Sequence, residues 1–216
     1  MKKFELTTEF ITNMFGKKLF RIKALVEFGN VKAGELGGYV EKEENVSQDG
    51  NAWVSGNARV YGNAWVYGDA RVSGNAEVSG NARVSGNARV YGNAWVSSNA
   101  RVSGNARVYG NAWVYGDAWV SGNAWVYGNA WVSGNARVSS DADYALVQGF
   151  GTEFHCTTFY RGKNKKIMVN CGCFHGDLEG FRKQVKETRN GKIAKEYLMI
   201  ADLMEYHFTS EDSSNE

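Results

Sequence analysis

The residues of this chain best equipped for chemistry recur at a fixed interval. Seven Trp, at 53, 65, 95, 113, 119, 125 and 131, and seven Arg, at 59, 71, 83, 89, 101, 107 and 137, share one slot of a six-residue period, with Glu77 as the exception. Indole and phenol rings stack on flat ligands, and guanidinium grips phosphate or carboxylate through a planar fork. If every eighteenth residue is a neighbour, Trp95, Trp113 and Trp131 form one column. Arg71, Arg89 and Arg107 form another, with Tyr91, Tyr109 and Tyr127 beside it. Such a surface suits a nucleotide or sugar ligand. It equally suits burial against a protein partner, because soluble monomers rarely leave so large an apolar patch open.

The other reactive side chains point to less. Cys171, Cys173 and His175, with His155-Cys156 upstream, offer thiolates and imidazoles to zinc. One-residue spacing is poorer for this than Cys-x-x-Cys, and alternation along a strand equally suits half-buried structural cysteines, so neither metal nor cofactor is expected. The three cysteines are an odd number in one region, which argues against a secreted disulfide framework. Asp69, Asp117 and Asp141 replace Asn at a recurring corner position and read as turn formers; they are not spaced for stacked calcium sites. Arg182, Lys183, Lys186 and Arg189 read as a solvated helix face. Net charge is +2, too small to imply a polyanion, and nucleic acid is not expected as a partner. No apolar run approaches the roughly 18 residues of a membrane span, so no membrane is expected and the compartment is expected to be cytoplasmic.

What must position these columns is the repeat itself. From Ala52 to Asp141 the phrase Ala-x-Val-(Ser/Tyr)-Gly-(Asn/Asp) runs fifteen times without an insertion. Ala and Val sit two apart, so on an extended segment they share one side and the residue between them takes the other. Gly-(Asn/Asp) then supplies a corner. Three short sides make one triangular coil of eighteen residues, and fifteen hexads give five coils. A glycine every sixth residue is too costly for helix interiors, and six-residue units are too short for an ordinary antiparallel meander.

The pairing of an aliphatic residue with a small one four places on, Val54 then Ala58, Val60 then Ala64, resembles the hexapeptide repeat of left-handed parallel β-helices. The flanking run from Gly29 to Val40, with Gly34, Gly37 and Gly38 ahead of Tyr39-Val40, is similar to the segment that opens YdcK-like bacterial and phage repeat proteins. The resemblance implies left-handed coils and association as a homo-oligomer, with a trimer favoured. It also implies a cytoplasmic setting, bacterial or that of a phage host, where a phage-encoded copy would sequester a host signal. The familiar activity of hexapeptide proteins is acyl transfer with a His as general base. Here the array contains no His; the three, His155, His175 and His207, all lie outside it.

The flanks read as ends. Residues 1–45 form a small β-rich N-terminal cap, with period-two alternation in Lys3–Leu6 and Leu19–Val26. Residues 46–147 form the β-helix, beginning with an irregular stretch, Asn45–Gly50, that carries one extra residue. Residues 148–208 form an α+β module. It contains a hairpin of Thr157–Tyr160 with Lys166–Val169, a helix N-capped by Asp177, and a second helix over Ile193–His207. Residues 209–216 read as a disordered tail. The expected function is a non-catalytic binding or assembly scaffold that oligomerises through its outer faces or through the C-terminal module. Small-molecule capture through the Trp, Tyr and Arg columns is one alternative, and hexapeptide acyl transfer is the other.

Overall fold

The computed structural model describes residues 1–151, 154 and 156–209. Expectations for His155 and for residues 210–216 fall outside the described residues.

The repeat folds into a parallel β-solenoid. Fifteen two-residue strands, β4 (Trp53–Val54) to β18 (Arg137–Val138), recur every six residues and close a coil in eighteen: Arg89 pairs in register with Arg71 on one side and Arg107 on the other. Alternate backbone amides bond to the coil that follows, as Arg89 N to Ala106 O at 2.9 Å and Asn93 N to Gly110 O at 2.8 Å, while alanine amides such as Ala88 N bond within their own corner, to Ser85 O at 3.3 Å. The Ala and Val of every hexad are buried and fill the prism as a single hydrophobic core.

Corners need glycine for two reasons. From Gly56 to Gly134 the corner glycines hold φ between 57° and 71°, the left-handed region that side chains resist. They also stack on one another: a Cβ on Gly92 would lie 3.0 Å from the nitrogen of Gly110. Ser98 is the one corner that adopts this conformation, at φ 59°, with a side chain attached. The neighbouring asparagines form ladders. Asn57, Asn75, Asn93, Asn111 and Asn129 pass amide hydrogen bonds from coil to coil at 3.0–3.3 Å. Asp69 and Asp117 accept from Asn51 and Asn99 but carry no amide to pass on, so each ends its ladder.

The structure has roughly six turns, because the N-terminal segment contributes one ahead of the fifteen hexads. Strands β1 (Phe4–Thr12), β2 (Lys18–Ala24) and β3 (Leu36–Val40) pair antiparallel, and β3 then pairs parallel with Arg59–Val60, extending one face of the prism. This first turn is wider than the rest. Val40 and Val46 lie against Val60 and Val66, twenty residues on, whereas Trp53 lies against Arg71, eighteen on. The irregular stretch therefore carries two extra residues rather than one. They bring Gln48 to the edge of β1, where its carbonyl accepts from Lys3 N at 2.8 Å and its amide donates to Phe4 O at 3.2 Å. Lys3 itself is 4% exposed, and its ammonium donates to the carbonyls of Ala52 at 2.9 Å and Gly50 at 3.2 Å. Removal from water pushes the Lys3 ammonium down to about 8, although the nearby Asp49 carboxylate opposes the shift.

The far end is closed by an antiparallel sheet, β19 (Tyr144–Val147), β20 (Thr157–Arg161), β21 (Ile167–Cys171) and β22 (Phe174–Asp177), backed by α1 (Leu178–Thr188) and α2 (Gly191–Thr209). Alternation along β20 does the joining: Tyr160 enters the solenoid core while Phe159 packs with Phe181, Tyr197, Ala201 and Met204 of the helices. Asp177 caps α1, accepting from Gly180 N at 3.0 Å. Arg182 does not lie on a freely solvated face. Its side chain is 14% exposed and bridges Glu179, Asp202 and Glu205 at 2.7–2.8 Å, fastening α1 to α2. The hydrogen bond it donates to Glu205 raises its already high pKa, with burial opposing. No helix among the described residues is long and apolar enough to cross a membrane.

Candidate functional site

The outward residues sort by face. One face carries Arg59, Glu77, Trp95, Trp113 and Trp131 in register. The second carries Trp53, Arg71, Arg89, Arg107 and Trp125, and the third carries Trp65, Arg83, Arg101, Trp119 and Arg137. The nine residues singled out from the sequence therefore form two separate surfaces, with Trp95, Trp113 and Trp131 on the first face and the Arg and Tyr columns on the second.

On the first, the centroids of Trp95 and Trp113 are 5.0 Å apart and those of Trp113 and Trp131 are 5.2 Å apart, the latter pair stacked within 12°. With Ser97 and Tyr115 they line an open groove of about 310 Å³. The column stops at the C-terminal sheet, where Trp131 N donates to Thr158 Oγ1 at 3.0 Å and Trp131 O accepts from Asn170 at 2.9 Å. A second hollow of about 390 Å³ adjoins Trp113 and Trp131 and runs over Asn111 and Asn129 to Gln148 and Phe154. Sequence spacing gave no sign of this hollow, because its far wall comes from the non-repeating module.

On the second, the rings of Tyr91 and Tyr109 stack at 4.8 Å and 1°, and those of Tyr109 and Tyr127 at 5.3 Å and 15°. Tyr109 is held above its usual pKa by burial and by its two tyrosine neighbours. Arg71, Arg89 and Arg107 have no carboxylate within 4.0 Å among the described residues, unlike Arg21, Arg161 and Arg182. The Arg107 guanidinium lies over the Trp125 ring, 4.6 Å from its centroid.

Two sequence expectations need correction. Trp53 occupies an outward slot but is 1% exposed, covered by Phe4 and Phe28 of the N-terminal segment at centroid distances of 6.2 and 5.4 Å. Cys171, Cys173 and His175 do not alternate along one strand, because Gly172, at φ 55°, turns the chain between β21 and β22. Cys171 lies against Thr157, Cys173 is exposed in the turn, and His175 reaches towards Ser133. Among the described residues no three His, Cys, Asp or Glu side chains converge as metal ligands.

His175 belongs to a polar joint between solenoid and cap that the sequence did not reveal. Ser133 Oγ lies 3.2 Å from Tyr160 Oη and 3.4 Å from His175 Nδ1, and it accepts from Asn170 Nδ2 at 3.0 Å. A serine, a histidine and an asparagine together invite comparison with an acyl-transfer triad, but the geometry is wrong. Asn170 and Ser133 both engage Nδ1, whereas a relay needs one partner on each ring nitrogen, and Ser133 is 1% exposed. The joint satisfies buried polar groups where the regular ladder ends.

Eighteen-residue coils from Trp53 onward, a continuous Ala/Val core and a cap at each end define a parallel β-solenoid repeat protein. The family model described as the YdcK beta solenoid repeat matches residues 52–68, 82–98, 100–116 and 118–134, so over these four segments the chain is similar to YdcK-like repeat proteins. A search among curated proteins finds no match.

Proposed function

We propose that this protein is a non-catalytic scaffold and that copies of it associate through the Trp95–Trp113–Trp131 face. The observation that carries this reading is the straight column of half-exposed indoles and the groove beside it. Aromatic area of this kind dominates the energetics of protein contacts. The column also repeats at the coil spacing, about 4.8 Å for adjacent strands. A second copy repeats at the same spacing, so its rings fit the intervals of the first along the whole face, whereas a partner of different pitch loses register within a few rings.

The non-catalytic part rests on the array. Fifteen hexads supply no His and no looped excursion that would build an acceptor site, which speaks against acyl transfer. Replacing Trp95, Trp113 and Trp131 together by Arg tests the assembly reading, because Arg fills this slot seven times already and the variant should fold. Sedimentation velocity is expected to find an oligomer for the natural chain and a monomer of 23.9 kDa for the variant. A natural chain that sediments as a monomer, or a variant that stays assembled, would sink the reading.

A further inference from the structure

The tyrosine column on the second face is interrupted. The slot after valine is Ser55, then Ser73, then Tyr91, Tyr109 and Tyr127 in successive coils. At one end the stack is closed, because Tyr144 meets Tyr127 edge-on at 6.4 Å and 90°. At the other end the ring of Tyr91 has a stacked neighbour on its Tyr109 side only, and the next two coils place serine where further rings would stand. The result is a hollow of about 360 Å³ lined by Asn30, Ser55, Arg71, Ser73, Arg89, Tyr91 and Arg107. That volume lies within the roughly 300–1,000 Å³ range of small-molecule sites.

The walls of the hollow are cationic. Arg71, Arg89 and Arg107 are directly opposed strand partners, and like charges so placed destabilise a sheet. The other outward columns hold shorter runs: Arg59 faces Glu77, and the single opposed pair Arg83 and Arg101 is separated from Arg137 by Trp119. Arg107 has the Trp125 ring beneath it. Arg71 lies close against the loop at Gly29: its Nη2 is 2.9 Å from the position a Cβ on Gly29 would take. The Arg89 guanidinium makes no hydrogen bond, ion pair or ring contact among the described residues. Two guanidinium groups one strand apart, beside an open phenol face, offer a fork for an anion and a plate for a ring.

We infer that this hollow binds a planar ring carrying a phosphate, of the class of a nucleoside monophosphate. The ring continues the tyrosine column on the free face of Tyr91, above Ser73. The phosphate takes charge-assisted hydrogen bonds from Arg71 and Arg89. This site is independent of the indole face, and either reading stands without the other.

Isothermal calorimetry on the full chain tests it with adenosine 5′-monophosphate, adenosine and inorganic phosphate as probes. The monophosphate is expected to bind, and adenosine and phosphate, each lacking one half of the recognition, to bind at least about tenfold more weakly. Tyr91→Ser and Arg89→Glu should each weaken the monophosphate by about tenfold or more. Both changes put in residues that the array carries at equivalent slots, Ser73 and Glu77, so loss of binding is not loss of fold. Arg83→Glu, on another face, should leave binding unchanged. No heat with monophosphate at about 1 mM, the weak end of specific affinity, overturns the inference. So does phosphate binding as tightly as the monophosphate, or binding indifferent to both Tyr91→Ser and Arg89→Glu.

Discussion

The corner at Ser98 offers a sharp test of how the coils are held, because the expected effect is a gain. An L-residue in the left-handed region costs roughly 1–2 kcal/mol, and Ser98 sits there at φ 59°. Its hydroxyl makes no hydrogen bond among the described residues that would repay the strain. Ser98→Gly removes this cost but gives the unfolded chain extra freedom worth about 0.4–1 kcal/mol. The net expectation is a stabilisation of about 0.5–1 kcal/mol. The reverse change at a glycine corner, Gly92→Ala, incurs the conformational cost and also sets a Cβ 3.0 Å from the backbone nitrogen of Gly110, which cannot swing away as a side chain would. It is expected to destabilise by about 1–3 kcal/mol. For a chain of this length 1 kcal/mol moves Tm by roughly 2–4 °C. Paired thermal melts should therefore move in opposite directions, Ser98→Gly up by a few degrees and Gly92→Ala down by more. Because long repeat arrays can lose all-or-none unfolding, hydrogen exchange supplies a local reading. The Asn81 amide, bonded to Ser98 O at 2.7 Å, should exchange more slowly in Ser98→Gly. A Tm that falls in Ser98→Gly, or shifts of the same sign in both variants, would refute the assignment of corner strain to φ.

Two further outcomes follow from the ends and the ladders. Because Lys3 is held at about 8 in the folded chain against 10.5 for the free side chain, the unfolded state binds the extra proton between those values, so stability should rise with pH across that window by up to about 3 kcal/mol. Tyr61, pushed up to about 12 by burial and by its hydrogen bond to Glu77, acts oppositely above pH 10, where the unfolded tyrosine ionises first; urea titrations should show the rise in the natural chain and lose it in Lys3→Met. Asn93→Asp keeps the acceptor for Asn75 but loses the donor to Asn111 at 3.1 Å, and should cost about 0.5–1.5 kcal/mol by urea unfolding, whereas Asn123→Asp, at the last rung of its ladder, should cost less.

The fold was legible where the sequence repeats and obscure where it does not, for a physical reason. In the array every inward position makes the same contacts as the one eighteen residues on, so spacing alone places Val90 under Val108 and Trp95 beside Trp113. Nothing local marks Trp53 as different from Trp65, because its burial is decided by Phe4 and Phe28, far off in the chain. The turn at Gly172 shows the same weakness at short range: Cys171 to His175 alternate as a strand would, and the hairpin appears only through the pairing of Cys171 with Phe174. Of the candidate surfaces, the columns could be read residue by residue. The hollow before Tyr91 could not, since it is defined by two serines where rings are missing and by the Gly29–Asn30 loop that closes it.

The strict six-residue period also governs how such a chain can change length. Loss or gain of eighteen residues removes or adds one whole coil and leaves every remaining column on its own face. Loss of a single hexad is equally invisible to the core, since any Ala and Val can replace any other, but it turns everything downstream by a third of a revolution. Removing the hexad Arg89–Ala94 would carry the Trp95–Trp113–Trp131 column onto the side that bears Arg71. Recombination among near-identical repeats can therefore reshuffle the whole exterior in one event while the interior stays sound, so the outer faces are free to diversify at a pace that point substitution does not set.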